Sequence, residues 1–147
     1  MRRMISTALV ASVVAVLIGS SPASAAPTVD RRVGTCTHAR GGGCAPSISV
    51  EYWYAKGAKT RRVSWVYTGT NSKTRRSARW MYRKPGARTY KVASGWKQGR
   101  LEPARNGSIS FTWASWGKGH HTGAAYPVGT SFCAEFKGGK RVCTKVK

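Results

Sequence analysis

A chain of 147 residues holds 26 Lys or Arg and four acidic residues, a formal charge of +22. That length suits one domain rather than several. Beyond Leu17 the only leucine is Leu101, while six Trp, six Tyr and three Phe are present, which argues against a leucine-filled helical core and for pleated sheet.

Met1-Arg2-Arg3 is a positive start, Ile5 to Ile18 an apolar run, and "SPASAA" a set of small residues for signal peptidase. Cleavage after Ala25 puts Ala23 and Ala25 in the A-x-A positions. The run falls short of the ~20 apolar residues needed to span a bilayer. Residues 1–25 are therefore assigned as a signal peptide and 26–147 as a single secreted β domain with no transmembrane segment. The leader removes two arginines, leaving the other basic residues against Asp30, Glu51, Glu102 and Glu135.

Cys36, Cys44, Cys133 and Cys143 in an exported domain read as two disulfides. Their spacing lacks the short C-x₂₋₄-C pattern of structural zinc. Alternating segments then follow in order. "SISVEYWY" aligns Ile48, Val50, Tyr52 and Tyr54; "RVSWVY" aligns Val63, Trp65 and Tyr67; "ARWMY" aligns Ala78, Trp80 and Tyr82. "TYKV" places Tyr90 with Val92, "SISFTW" Ile109 with Phe111 and Trp113, "SFCAEF" Phe132 with Ala134 and Phe136, and "RVCTKV" Val142 with Thr144 and Val146. The fold class is all-β: a small antiparallel β-sandwich or barrel of seven to eight strands with two disulfides.

The ending "CAEFKGGKRVC" reads as a hairpin. A three-residue loop at Lys137-Gly138-Gly139 pairs Glu135 with Arg141, Ala134 with Val142 and Cys133 with Cys143. Cys133–Cys143 is thus the expected bridge, leaving Cys36–Cys44 to staple the N-terminal loop.

The stretch "KTRRSARWMYRKPGARTYK", Lys73 to Lys91, has eight basic residues and no acid. "RKPGAR" is a turn, with Pro85 preset for it and Gly86 free to take positive φ. Pairing Tyr82 with Tyr90 and Trp80 with Val92 sends the aromatics to the core. Arg75, Arg79, Arg83 and Lys91 then share the opposite face with Met81, and Arg76, Lys84 and Arg88 lie at its edges. The guanidinium fork suits phosphate and carboxylate, so these seven are the expected polyanion-binding residues. The partner is an anionic polymer or surface: nucleic acid, cell-wall polymer or lipid head groups. Antimicrobial action is one use of such binding. The chain is expected to act as a monomer without cofactor or metal.

Other chemistries use fewer residues. Trp53, Trp96 and Trp116 are the tryptophans expected to be exposed for stacking on sugars or bases, with Trp65, Trp80 and Trp113 in the core. His120 and His121, with His38, offer acid–base groups for a secreted ribonuclease. Neighbours on an extended strand point to opposite faces, however, so His120 and His121 would not converge, and no enzymatic activity is expected. A protease inhibitor presenting "RKPGAR" is a further alternative by analogy of size and stapling. The leader and the ending "YPVGTSFCAEFKGGKRVCTKVK" resemble those of small secreted actinobacterial proteins, a resemblance that implies export and no activity.

Overall fold

The computed structural model describes residues 25–38, 44–105 and 109–147. The signal peptide assigned above lies outside them except for Ala25. In chain order the strands are β1 (Thr28–His38), β2 (Cys44–Ala55), β3 (Thr60–Asn71), β4 (Ser77–Arg83), β5 (Lys91–Val92), β6 (Lys97–Gln98), β7 (Arg100–Glu102), β8 (Phe111–Gly117), β9 (Ala125–Pro127), β10 (Ser131–Phe136) and β11 (Arg141–Lys145). They form two antiparallel sheets. The first runs β1-β2-β3-β8-β7, with β9 on the other half of β3; the second runs β11-β10-β4-β5, with β6 also on β4.

Among the described residues eleven strands replace the expected seven to eight, and their open order excludes a closed barrel. The additions are β1, β6, β7 and β9. β1 carries Asp30 and Gly34, types depleted in strands, yet it pairs along nearly the whole of β2. The other three have two or three residues and show no period.

The sheets pack through alternating residues. Ile48, Val50 and Tyr52 of β2 and Val63 and Val66 of β3 meet Phe132 and Ala134 of β10 and Val142 of β11. Tyr126 stands edge-on to Phe132 and Tyr82, 4.9 Å from each, a favoured aromatic geometry. Burying each large apolar side chain stabilises by about 1.5–3 kcal/mol. Ala78 and Ala114 leave room for Phe136 in an adjoining cluster.

Two expected faces are reversed. A bulge in β3 lets Val63 pair with Tyr52 and Trp65 with Glu51, so that Ser64 is the extra residue. Val63, Val66 and Thr68 consequently face the core, and Trp65 and Tyr67 turn outward. On β8 the buried residues are Thr112 and Ala114, while Phe111 and Trp113 face away from the core.

Both disulfides form as expected, Cys36–Cys44 and Cys133–Cys143. Cys133↔Cys143, Ala134↔Val142 and Glu135↔Arg141 are in register, with Gly138 at φ 72° in the turn. The N-terminal bridge joins the adjoining strands β1 and β2 at their connection.

Candidate functional site: two outer faces

On the second sheet, Arg79, Met81 and Arg83 point outward from β4, opposite Glu135, Cys133 and Ser131 of β10. Met81, Cys133 and Ser131 are nevertheless buried. The chain after β4 covers them: Tyr90 Oη lies 3.3 Å from Ser131 Oγ, and the Arg79 guanidinium sits 4.5 Å from the Trp96 ring centre.

Arg79 Nε donates to Glu135 Oε1 at 2.7 Å and Arg141 Nε to Oε2 at 3.0 Å. Burial alone would raise the Glu135 carboxyl pKa. The hydrogen bonds from the two guanidiniums, with their charge, outweigh that and hold it below its ordinary value. Arg83 and Arg141 also lie near the Tyr90 ring, 4.8 and 5.4 Å from its centre.

The hairpin after β4 is one residue out of the expected register: Tyr82 pairs with Lys91 and Met81 with Val92. The slip moves Tyr90 to the Arg83 side and Lys91 to the Tyr82 side. Ala87 N–H donates to Lys84 O, and Gly86 has φ 76°, a type II turn with Pro85 at its second position.

The seven cations therefore divide. Arg79 is ion-paired and Arg83 stacked. Arg76 Nη2 donates to Lys137 O at 2.7 Å, with exposed Arg75 beside it ahead of β4. At the far end of β4, Lys84, Arg88 and Lys91 are all exposed around the turn. The length of β4, about 20 Å at roughly 3.3 Å per residue, separates these groups.

The outer face of the first sheet is lined with rings. The Trp65 and Tyr67 centres are 5.9 Å apart with planes 26° from parallel. Next to them Trp113 lies opposite Gly69, and Phe111 opposite Asn71. Trp113 Nε1 donates to Glu102 Oε1 at 3.2 Å, and the Arg100 guanidinium is 5.4 Å from the Trp113 ring centre. Arg32 pairs with Glu51 and lies 5.7 Å from the Tyr67 centre. Burial, then the Glu51 charge, pushes the Tyr67 phenol pKa up. A groove of about 390 Å³ runs between Tyr67, Trp113 and Phe111 over Ser47, Ser49 and Gly69. A second of about 310 Å³ lies between Trp65, Trp113, Lys97 and Arg100.

Of the expected stacking residues, Trp96 is exposed and lies beside Arg79. Trp53 is half-buried, its Nε1 donating to Thr122 O at 3.2 Å. Trp116 is half-buried: it packs against both core clusters, Lys97 Nζ lies 5.9 Å from its ring centre, and its buried Nε1 has no hydrogen-bond partner. Trp65 and Trp113, expected inside, took the surface positions. The small residues Gly69, Ser115 and Gly117 paired with Trp113, Tyr67 and Trp65 are the signal that could have revealed this.

His120 and His121 sit in a turn before β9, not on an extended strand, with ring centres 6.1 Å apart. His121 Nε2 is 2.9 Å from Asp30 Oδ1. A groove of about 260 Å³ is lined by Asp30, Arg31, Arg32, Glu51, Ser64 and His120. His38 pairs through its backbone with Cys44, at the opposite end of β1 from Asp30. Among the described residues no three His, Cys, Asp or Glu side chains cluster as metal ligands, and no helix is long and apolar enough to cross a membrane.

Compared with protein-family models, curated proteins and solved structures, the chain matches none.

Proposed function

We propose that this is an exported, strongly cationic, non-enzymatic protein that binds an anionic polymer or surface. The observation that carries the reading is the exposed turn bearing Lys84, Arg88 and Lys91 on a sheet stapled by Cys133–Cys143. The carboxylates stand elsewhere: Asp30, Glu51 and Glu102 belong to the first sheet, and Glu135 is held between Arg79 and Arg141. Cations fixed around a short turn can meet successive phosphates or carboxylates with little further ordering. The partner is nucleic acid, an anionic cell-wall polymer or anionic lipid.

Binding to duplex DNA measured across a salt series tests this. The log–log slope should be about −0.9 per contacted phosphate. Changing Lys84, Arg88 and Lys91 together to Ser should lower its magnitude by about 2–3. A control triple at the exposed Lys118, Lys140 and Lys145 removes equal charge elsewhere. Equal weakening by both triples would reduce the turn to a share of bulk charge. No binding at moderate salt would reject the reading.

A ribonuclease is the second reading, favoured by the Asp30–His121 pair beside His120 and the groove. Carboxylate, paired imidazole and a second imidazole are the groups acid–base cleavage of RNA requires. RNA cleavage by the purified protein, lost in His121→Ala, would establish it over the binding role; intact RNA would remove it.

A further inference from the structure

The ring-lined face of the first sheet is chemically unlike the rest of the molecule. Three of the chain's four acids, Asp30, Glu51 and Glu102, lie on that sheet, and strand pairing brings them to the same outward side. Asp30 stands opposite Trp53, Glu51 opposite Trp65 and Glu102 opposite Phe111. Each is engaged, by His121, Arg32 and the Trp113 indole respectively. A protein so cationic has thus gathered its negative groups around its outward rings. Arg32, Arg62, Lys97 and Arg100 stand among those carboxylates, so the charges on this face nearly balance and it offers a polyanion little local complementarity. The face therefore calls for an uncharged ligand that still has both apolar and hydrogen-bonding sides.

A sugar ring has that character. Its C–H face packs against the electron-rich face of an aromatic ring, while neighbouring hydroxyls can donate to carboxylates and accept from guanidiniums. The 5.9 Å step from Trp65 to Tyr67 is comparable to the advance of one sugar unit along a glycan. Gly69, inside β3, forms part of the groove floor between Tyr67, Trp113 and Phe111. Glycine weakens a strand interior and often marks close approach of a ligand. A Cβ there would come no nearer than 3.5 Å to Ser47 Oγ and 3.8 Å to Thr112 O. Packing thus leaves room for a side chain that would occupy the groove.

We propose that this face binds a neutral polysaccharide, with Trp65, Tyr67, Trp113 and Phe111 as stacking rings and Glu51, Glu102, Arg32 and Arg100 as hydroxyl partners. The site is separate from the cationic turn.

The probes are insoluble chitin, cellulose and starch granules in 1 M NaCl, where screening within about 3 Å removes long-range charge attraction. The protein should be retained by at least one of them. Trp113→Ala should weaken retention by up to about ten-fold, a stacking loss of the usual size. Gly69→Val fills the groove with a residue that favours strands and should weaken it as much while the protein stays folded by near-ultraviolet circular dichroism. The Lys84, Arg88, Lys91 triple should bind the glycan normally. Failure of all three glycans to retain the protein would overturn the proposal, as would unchanged retention of folded Gly69→Val. If instead the substitutions abolish capture of oligo-dT at low salt and spare the glycan, the rings serve nucleotide bases and the proposal fails.

Discussion

The two outer faces of this protein use similar residues to different ends. On the second sheet, the Tyr90 and Trp96 side chains from the chain after β4 lie against Ser131 and Arg79, so an outward face has become a second, smaller interior containing Met81, Cys133 and Ser131. Arginine and aromatic side chains form its lid, and their charges and ring faces are largely used within the protein. On the first sheet Trp65, Tyr67, Trp113 and Phe111 remain half-buried or exposed. The same pairing of guanidinium with ring is a cover in one place and an open surface in the other. Position alone does not make a face functional; what lies over it does.

The sharpest way to break this contrast is to compare the two disulfides. They close loops of similar size, with separations of 8 and 10 residues, so the chain-entropy contribution of each is about 2.5 kcal/mol. Cys133 is completely buried in the covered layer although its partner Cys143 is exposed, whereas the other bridge joins half-buried Cys36 to exposed Cys44. Replacing Cys133 and Cys143 by Ala should therefore cost about 3–4 kcal/mol, adding lost packing to lost cross-linking. The matching change at Cys36 and Cys44 should cost about 2.5 kcal/mol. Urea unfolding of the two double variants makes the measurement. Equal losses would mean that the layer beneath Tyr90 and Trp96 contributes no packing.

Glu135 sharpens the comparison through pH. Its carboxyl pKa is lowered in the folded protein, so the unfolded chain takes up its proton first as pH falls. Stability from this group is complete above about pH 4.3, the ordinary glutamate value. It is lost as pH drops from there through the lower folded value. Glu135→Gln should cost about 1.5–3 kcal/mol at neutral pH, the usual worth of a hydrogen bond to a charged group. It should also flatten the fall in melting temperature below pH 4.3. A wild-type slope kept by the variant would mean that Arg79 and Arg141 do not depend on this carboxylate.

Local agreement among signals decided which parts of this fold could be read. At the C-terminal hairpin, Gly138, the Glu135–Arg141 pair and two cysteines all asked for one register, and that register is present. After β4 only aromatic alternation was available, and it erred by one residue because Tyr90 covers the outside of its sheet. On β8, "FTWAS" offers large residues on one side and small ones on the other. Size favoured Phe111 and Trp113 as core, but Trp80, Phe132, Phe136 and Tyr126 from other elements already fill the interior. Small Thr112 and Ala114 fit the space that was left. The bulge at Ser64 leaves no compositional mark, and it sent Trp65 and Tyr67 outward. The basic stretch was legible as charge, but not its division, since Glu135 lies 56 residues from Arg79.

The smallest expected effect is the most telling, because it runs against residue size. Buried tryptophans replaced by Ala ordinarily cost about 3–5 kcal/mol. Trp113 lies on the open face, where its partners are the Glu102 carboxylate and the Arg100 guanidinium of the short strand β7. Contacts of that kind at exposed sites contribute about 0.5–1 kcal/mol each, and removing the ring leaves no sealed cavity. Trp113→Ala should accordingly cost about 1–2 kcal/mol in urea unfolding. Met81→Ala, on the covered outer face and from a smaller side chain, should cost about 2–4 kcal/mol. The inverted ranking follows from the cover alone. If Trp113→Ala proves the more destabilising, the first sheet's rings are holding the fold together, and their outward placement needs no ligand to account for it.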